Sequence, residues 1–325
     1  MGAVRDVCVI GLGLIGGSLL RAAAAAGRKV WGATDSTLDA RAAEDEGFDV
    51  STDVPQALRR AAKADAVIVL AVPLPALDTV LPLVAEYAPD CLLTDVTSVK
   101  APVRDAVGRT VPAARYVGGH PMAGTARSGF AASTATLFVG AAWVVAIEED
   151  TDLAAWREVA TLALDTGAHV VPLGCRAHDE VVARVSHLPH LFAAVLAAVG
   201  SFGGPLAAAL AAGSFADGTR VAGTRPDLVR AMVEGNRAAL LPVLDEALGK
   251  LGAARGALAS TGGVAATIEA GHAGMRALAE HRNAARVAVT VDLTAAEARD
   301  GLIALGERGG RVTAVTGEVA SGEVC

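Results

Sequence analysis

Aromatic residues make up only 3% of this 325-residue sequence, and its four cysteines, Cys8, Cys91, Cys175 and Cys325, form no CxxC pair. Structural zinc sites and disulfide frameworks announce themselves by short cysteine spacings, so the thiols read as reduced, as in a cytosol. With so few rings, a core must be packed from Ala, Val and Leu, which favours helices that approach closely. The material is there, since 53% of the residues are hydrophobic. Basic charge is also short: 28 Lys and Arg stand against 35 Asp and Glu, a net charge of −7. A nucleic-acid partner would need a basic face to neutralise phosphates, so none is expected. The amino terminus shows no signal-peptide pattern, because Asp6 sits in its first apolar run and a glycine-rich turn follows at once. A cytoplasmic protein is the expectation. One stretch, 185–216, has no Asp, Glu, Lys or Arg and could pass for a membrane span. Pro189, Gly200, Gly203, Gly204 and Pro205 would break such a helix in its middle. The stretch reads instead as two buried helices joined at Gly203-Gly204-Pro205, with no membrane partner.

The length suits two domains of moderate size. In the first half, short β-rich runs alternate with helical patterns, which predicts a parallel sheet covered on both faces. Strands are expected at 4–10, 29–34, 66–72, 91–96 and 115–119, with 141–147 and 169–172 closing the sheet. Helices are expected at 14–26, 37–46, 75–87 and 153–166. From Arg176 the apolar residues recur at three- and four-residue spacing and strand signals vanish, until about His281. Expected helices there are 178–199, 205–212, 226–234, 237–251 and a long one ending near His281. The fold class is therefore α/β: a Rossmann-type domain at 1–174, then an all-helical domain at 175–283. The alanine-rich helices suggest packing against a partner subunit. Residues 284–325 return to a short β-α-β pattern and end in a polar tail expected to be mobile.

Residues 7–18, VCVIGLGLIGGS, put GxGxxG directly after a strand and at the opening of a helix. Gly11 permits the tight turn, Gly13 lets backbone approach a pyrophosphate, and Gly16 lets helix and strand pack closely. With Leu14 and Ile15 between them, these residues aim the helix amino terminus at the phosphates. The second strand ends at Asp35, nineteen residues after Gly16. A carboxylate there accepts hydrogen bonds from the adenosine ribose and repels the 2′-phosphate of NADP, so NAD is the expected cofactor. Asp35 can also cap the helix that begins near Thr37, and the two readings are compatible. Since Rossmann folds also bind FAD and S-adenosylmethionine, only residues later in the chain can decide the reaction.

Polar residues of catalytic types gather at the ends of the later strands, where an open α/β sheet places its ligands. Val72-Pro73 ends one strand, on the cofactor side; Asp95-Val96-Thr97-Ser98-Val99-Lys100 ends the next. Then comes His120, held between glycines and a proline in Gly118-Gly119-His120-Pro121-Met122-Ala123-Gly124-Thr125. A loop His of that kind is not a typical core residue. In the helical half, Ser186-His187-Leu188-Pro189-His190 carries two His displaced from regular helical spacing by Pro189. No third ligand lies nearby, so a metal is not expected. Arg220, between two helices, could grip a carboxylate through its guanidinium fork.

GLGLIGGS, AVP, DVTSVK, GGHPMAGTARSG, SHLPH and FADGTRVA, in this order, resemble the successive motifs of the prephenate/arogenate dehydrogenase family. They span about residues 4–236, and the pairing of GHPMAG with SHLPH is far more specific than the glycine turn. The resemblance implies a nucleotide domain followed by a helical dimerisation domain, hence a homodimer. It implies NAD-dependent oxidative decarboxylation of prephenate to 4-hydroxyphenylpyruvate, on the route to tyrosine. By the same resemblance His120 accepts the proton of the C4 hydroxyl and Ser98 orients that hydroxyl. Arg220 binds a substrate carboxylate, His190 sits near the pyruvyl side chain, His187 supports the pocket and Thr125 lines it.

Two departures qualify the match. Many relatives have an acidic residue after the GT of HPMAGT, where this chain has Ala126-Arg127, which disfavours the amine-bearing substrate arogenate. Relatives also often carry a C-terminal ACT domain that senses tyrosine. Here 287–315 has its opening rhythm but lacks the Pro-Gly turn and is too short for a whole one, as a degenerate remnant would be. Alternatives remain: an arogenate or 4-amino-4-deoxyprephenate dehydrogenase, or, in a different class, a non-catalytic NAD-binding dimer. A 3-hydroxyacid or 6-phosphogluconate-type dehydrogenase would need a catalytic Lys in its second domain, and no Lys occurs between Lys100 and Lys250.

Overall fold

The computed structural model describes residues 4–125 and 127–325; Ala126, one of the two residues of the first departure, lies outside them. Strands β1 (Val7–Ile10), β2 (Val30–Ala33), β3 (Val50–Ser51), β4 (Val67–Leu70), β5 (Leu92–Asp95) and β6 (Arg115–Val117) form one parallel sheet. Its order, β3-β2-β1-β4-β5-β6, is that of a dinucleotide-binding domain. The connections are α1 (Leu14–Ala25), α2 (Thr37–Glu44), α3 (Val54–Ala64), α4 (Leu77–Tyr87) and α5 (Ala101–Thr110). Side chains alternate across each strand, so the sheet divides its apolar residues between two cores. Val7 and Val9 pack with α1 residues such as Leu19, whereas Cys8 and Ile10 pack with Leu58 of α3 and Leu81 of α4. Asp53 opens α3 by accepting a hydrogen bond from the Gln56 amide at 2.8 Å, and Pro55 sits in the first turn, where its missing N–H costs nothing.

The strands expected to close this sheet do not join it. Strands β7 (Gly119–Pro121), β8 (Ala142–Ala146) and β9 (His169–Leu173), with α6 (Leu153–Asp165) before β9, build a second sheet. The chain leaves the first sheet at Gly118, between β6 and β7, and β8 runs antiparallel to β7. Gly119 makes the exit possible: a Cβ there would lie 2.6 Å from the carbonyl oxygen of Asp95.

The helical stretch comprises α7 (Cys175–Val182), a π turn (Ala183–His187), α8 (Leu188–Ser201), α9 (Gly204–Leu210), α10 (Gly213–Thr219), α11 (Pro226–Gly235), α12 (Arg237–Ser260) and α13 (Ala265–Asn283). After it come β10 (Val287–Asp292), α14 (Ala298–Glu307), β11 (Arg311–Thr316) and β12 (Val319–Val324). The last segment is no loose tail. Strand β11 pairs antiparallel with both β9 and β12, giving a second sheet of order β10-β12-β11-β9-β8-β7. Leu302, Val312 and Ala320 are buried in the same core as Trp156 and Val170. Val312, Ala320 and Val324 account for this, since the apolar side of the hairpin they form must be covered.

The chain divides into two compact units. One comprises the chain up to Asp179, Thr224–Gly235 and Ala288–Val324; the other comprises Glu180–Gly223 and Asn236–Val287, with Cys325. The division therefore falls a few residues later than 174, and it gives α11 and the C-terminal strands to the sheet-bearing unit. In the helical unit α8 and α9 do meet near Gly203, but they are not buried within the chain. Val199, Leu206 and Leu210 are exposed, and Phe202 is 88% exposed. The helical run Cys175–Ser201 is long and apolar enough to cross a membrane by length and composition, yet its Asp179 and His187 are buried with polar partners in the protein.

Candidate active site

The glycine turn follows β1 and faces the end of β4. Gly11 has φ +97°, and a Cβ on it would lie 2.5 Å from the Ala71 carbonyl oxygen. A Cβ on Gly16 would lie 1.9 Å from the oxygen of Gly11, so α1 packs against the turn at a distance only glycine allows. At Gly13 nothing lies within 4 Å of where a Cβ would be, and no side chain caps α1. The first-turn amides of α1, at Leu14 and Ile15, thus open onto space that a pyrophosphate fits. Val72 and Pro73 follow β4 beside this turn, and a Gly11 Cβ would touch Val72 as well. Asp35 is exposed at the end of β2, while Ser36 is the residue that caps α2, through the Asp39 amide at 3.2 Å. Asp35 is left available to a ribose.

Strand β5 ends in a buried polar knot. Asp95 and Lys100 are both fully buried and form an ion pair through Oδ1 and Nζ. The Thr97 amide donates to the same Asp95 oxygen at 2.8 Å, and Lys100 also donates to the carbonyl of Gly119 at 2.5 Å. The Tyr116 hydroxyl donates to Asp95 Oδ2 at 2.6 Å; burial, and then the Asp95 carboxylate, push its phenol well above the ordinary range. It stays protonated and serves as a donor. The knot fixes the turn that presents half-buried Ser98, and it ties β7 to the end of β5.

His120 is the middle residue of β7, half-buried, paired across the sheet with Val144. Its Nδ1 lies 2.8 Å from Nε2 of His178, and Nδ1 of His178 lies 2.8 Å from Oδ1 of Asp179. Asp179 in turn accepts the backbone amides of Lys100 at 2.8 Å and Ala101 at 2.9 Å, the first amides of α5. Burial draws the His178 pKa down from its ordinary value, more than the Asp179 hydrogen bond raises it. Burial pushes the Asp179 carboxyl up, but the hydrogen bonds from His178, Lys100 and Ala101 outweigh it and leave the pKa below the ordinary range. His178 is therefore held neutral and Asp179 ionised.

In the sheet-bearing unit the glycine turn, Asp35, Val72-Pro73 and Ser98 thus follow the carboxyl ends of β1, β2, β4 and β5, while His120 stands in β7 of the second sheet. Thr125 belongs to the same unit, exposed, with its hydroxyl accepting the Arg127 amide at 3.2 Å. Arg220, His187 and His190 belong to the helical unit. Pro189 lacks an N–H for the regular ladder, and the π turn just before it rotates the fully buried His187 inward. There the Asn236 amide nitrogen lies 2.9 Å from His187 Nδ1, which makes that ring nitrogen the acceptor. His190 donates from Nδ1 to the Ser186 carbonyl at 2.8 Å, leaving Nε2 as its acceptor. Arg220 is exposed at the start of a short 3-10 turn, Arg220–Gly223.

Sequence reasoning passed over Asp95, Lys100, Tyr116, His178, Asp179 and Asn236. The first two stood inside the DVTSVK run, and His178-Asp179 is an adjacent base and acid at the start of a helix. Nothing local signalled that residues 58 positions apart would pair. Among the described residues no group of three or more His, Cys, Asp or Glu is gathered as a metal site would require.

Two family models match the chain: the prephenate dehydrogenase nucleotide-binding domain over residues 18–172, and the prephenate dehydrogenase dimerization domain over residues 175–262. The chain is 33% identical to a prephenate dehydrogenase of Bacillus subtilis over 258 residues, which cover 76% of this chain and 68% of the relative. It is 33% identical to a cyclohexadienyl dehydrogenase of Zymomonas mobilis over 278 residues, 81% of this chain and 92% of the relative. Among solved structures, one from Corynebacterium glutamicum, provisionally assigned as a prephenate dehydrogenase, superposes with a TM-score of 0.88 at 46% identity. That match covers 94% of this chain and 98% of the other.

Proposed function

We propose that this chain, which belongs to the prephenate dehydrogenase family, oxidises and decarboxylates prephenate to 4-hydroxyphenylpyruvate with NAD as hydride acceptor. The observation that carries the reading is an imidazole, His120 in β7, whose neighbour Gly119 is tied through Lys100 to Asp95 at the carboxyl end of β5 in the dinucleotide-binding sheet. When bound, NAD supplies the nicotinamide carbon that takes up the C4 hydride of the ring. The turn from Gly11 to Gly16 holds its pyrophosphate, and Asp35 its adenosine ribose in preference to a 2′-phosphate.

The residues of this chain do the rest by position and proton transfer. His120 takes the C4 hydroxyl proton as the C4–H bond breaks, and Ser98 hydrogen-bonds that hydroxyl. The ring carboxylate leaves as carbon dioxide, its bonding electrons make the ring aromatic, and the proton on His120 returns to the C4 oxygen, now a phenol. The roles of Arg220 at a substrate carboxylate, and of His190, His187 and Thr125 at the substrate side chain, rest on the family's motifs. The exposed apolar helices of the second unit are covered by a second copy of the chain, consistent with the matched dimerization domain.

The name of the Zymomonas relative specifies the ring and not the side chain, so the substrate must be tested directly. NADH formation is followed with prephenate and with arogenate, each offered with NAD and with NADP. Turnover of prephenate with NAD, well ahead of the other three combinations, is expected. Preference for arogenate would keep the mechanism and replace the substrate; silence with all four, with NAD still bound, would move the reading to the amino-deoxy analogue or to a non-catalytic NAD-binding dimer.

A further inference from the structure

We propose that His178 and Asp179 are positioning residues that fix the tautomer of His120, so that its Nε2 carries the lone pair that takes the substrate proton. A single chain of hydrogen bonds inside the sheet-bearing unit does this. It begins at Asp179, which is ionised and can only accept. Its Oδ1 and Oδ2 already take the backbone amides of Lys100 and Ala101 at 2.8 and 2.9 Å, so the amino terminus of α5 holds the carboxylate in place. The ring nitrogen 2.8 Å from that oxygen, Nδ1 of His178, must therefore be the donor.

A neutral imidazole has one N–H, so Nε2 of His178 is left as an acceptor. Nδ1 of His120, 2.8 Å away, then carries the hydrogen, and Nε2 of His120 carries the lone pair. Each proton position fixes the next, and two backbone amides anchor the first. The planes of the His120 and His178 rings stand at 79° to each other, and the 2.8 Å contact between Nδ1 and Nε2 is the polar link between them. His178 is 1% and Asp179 4% exposed, so water does not compete for either bond. When His120 gains a proton, the ionised carboxylate two hydrogen bonds away also stabilises the cation. The general logic is that of a base held by a neighbour that is itself oriented by a carboxylate. Here a second imidazole is inserted between the two.

The proposal rests on the reading of His120 as base, and its test separates the two. Nitrogen-15 NMR of the His-labelled protein reads the tautomer without substrate, while kcat, the KM of prephenate and NAD affinity are measured alongside. In the parent protein His120 should carry its hydrogen on Nδ1. In Asp179→Leu the acceptor for the Nδ1–H of His178 is gone, so nothing holds the two rings in this order, and His120 is left to the Nε2–H tautomer that a free imidazole favours. His120 should then show the Nε2–H tautomer, and kcat should fall by roughly 10²–10⁴-fold, with NAD affinity unchanged. His178→Gln can still donate to Asp179 and accept from His120, so it should retain most of the activity that His178→Leu loses. An Nδ1–H His120 in Asp179→Leu with kcat preserved would overturn the proposal, as would equal losses in His178→Gln and His178→Leu. If the parent turns over neither prephenate nor arogenate, the proposed function fails, and the tautomer measurement still decides the role of His178 and Asp179.

Discussion

Lys100 and Asp95 are both at zero exposure, and each is satisfied by groups that the fold must bring from elsewhere in the chain. Lys100 bonds the carbonyl of Gly119 and Asp95 accepts from Tyr116, so the pair fastens β5, β6 and the start of β7 to one another. A buried ion pair adds little net stability over a hydrophobic replacement, because desolvation offsets the attraction. Removing one partner is another matter. Lys100→Met should destabilise the protein by about 3–5 kcal/mol by leaving the Asp95 carboxylate uncompensated. The double variant Lys100→Met, Asp95→Asn should recover much of that loss. Urea unfolding midpoints read both, and a single variant within about 1 kcal/mol of the parent would contradict the assignment. Cys8 shows the contrary case of a reactive type made inert. Burial pushes its thiol up to about 12, and it packs as a small apolar residue.

Among the elements, the C-terminal hairpin is the piece whose place changes most once the fold is seen. Its β-α-β rhythm was legible, but the partner of each strand was not. Register between β11 and β9 joins residues more than a hundred positions apart, and no local pattern encodes that pairing. Because β11 covers the edge of β9 and Val312 and Leu302 fill the core around Trp156, the segment is part of the sheet-bearing unit. Deleting residues 284–325 should abolish the cooperative thermal transition and leave the chain insoluble; a soluble product melting within a few degrees of the parent would restore the idea of a detachable tail. The π turn before Pro189 is a milder instance. The proline signalled an offset in helical spacing, but only the structure places His187 inward and His190 against the Ser186 carbonyl.

For the whole molecule, the sequence carried the architecture and the cofactor turn well. Both rest on local periodicity and on glycines whose spacing is a direct steric requirement. His120 and Ser98 were singled out because the strand ends concentrate polar residues. The network behind His120 was not legible, since its members are contributed by β7, α7 and the start of α5 and meet only in the folded unit. In the helical unit, Phe202, Leu210, Leu251 and Ile268 stand exposed, more apolar surface than a lone soluble chain normally shows. Light scattering should give twice the 32.5 kDa of one chain, and Phe202→Asp combined with Leu251→Asp should weaken that dimer. A monomeric mass for the parent would leave the apolar face without an occupant.

Whether His120 is the base of an NAD-dependent oxidation comes down to one comparison. The kcat for prephenate is measured for the parent and for His120→Ala, with NAD binding measured separately by titration. A fall in kcat of roughly 10²–10⁴-fold is expected, with NAD affinity unchanged. Near-parental turnover by His120→Ala would show that the proton leaves the C4 hydroxyl by another route.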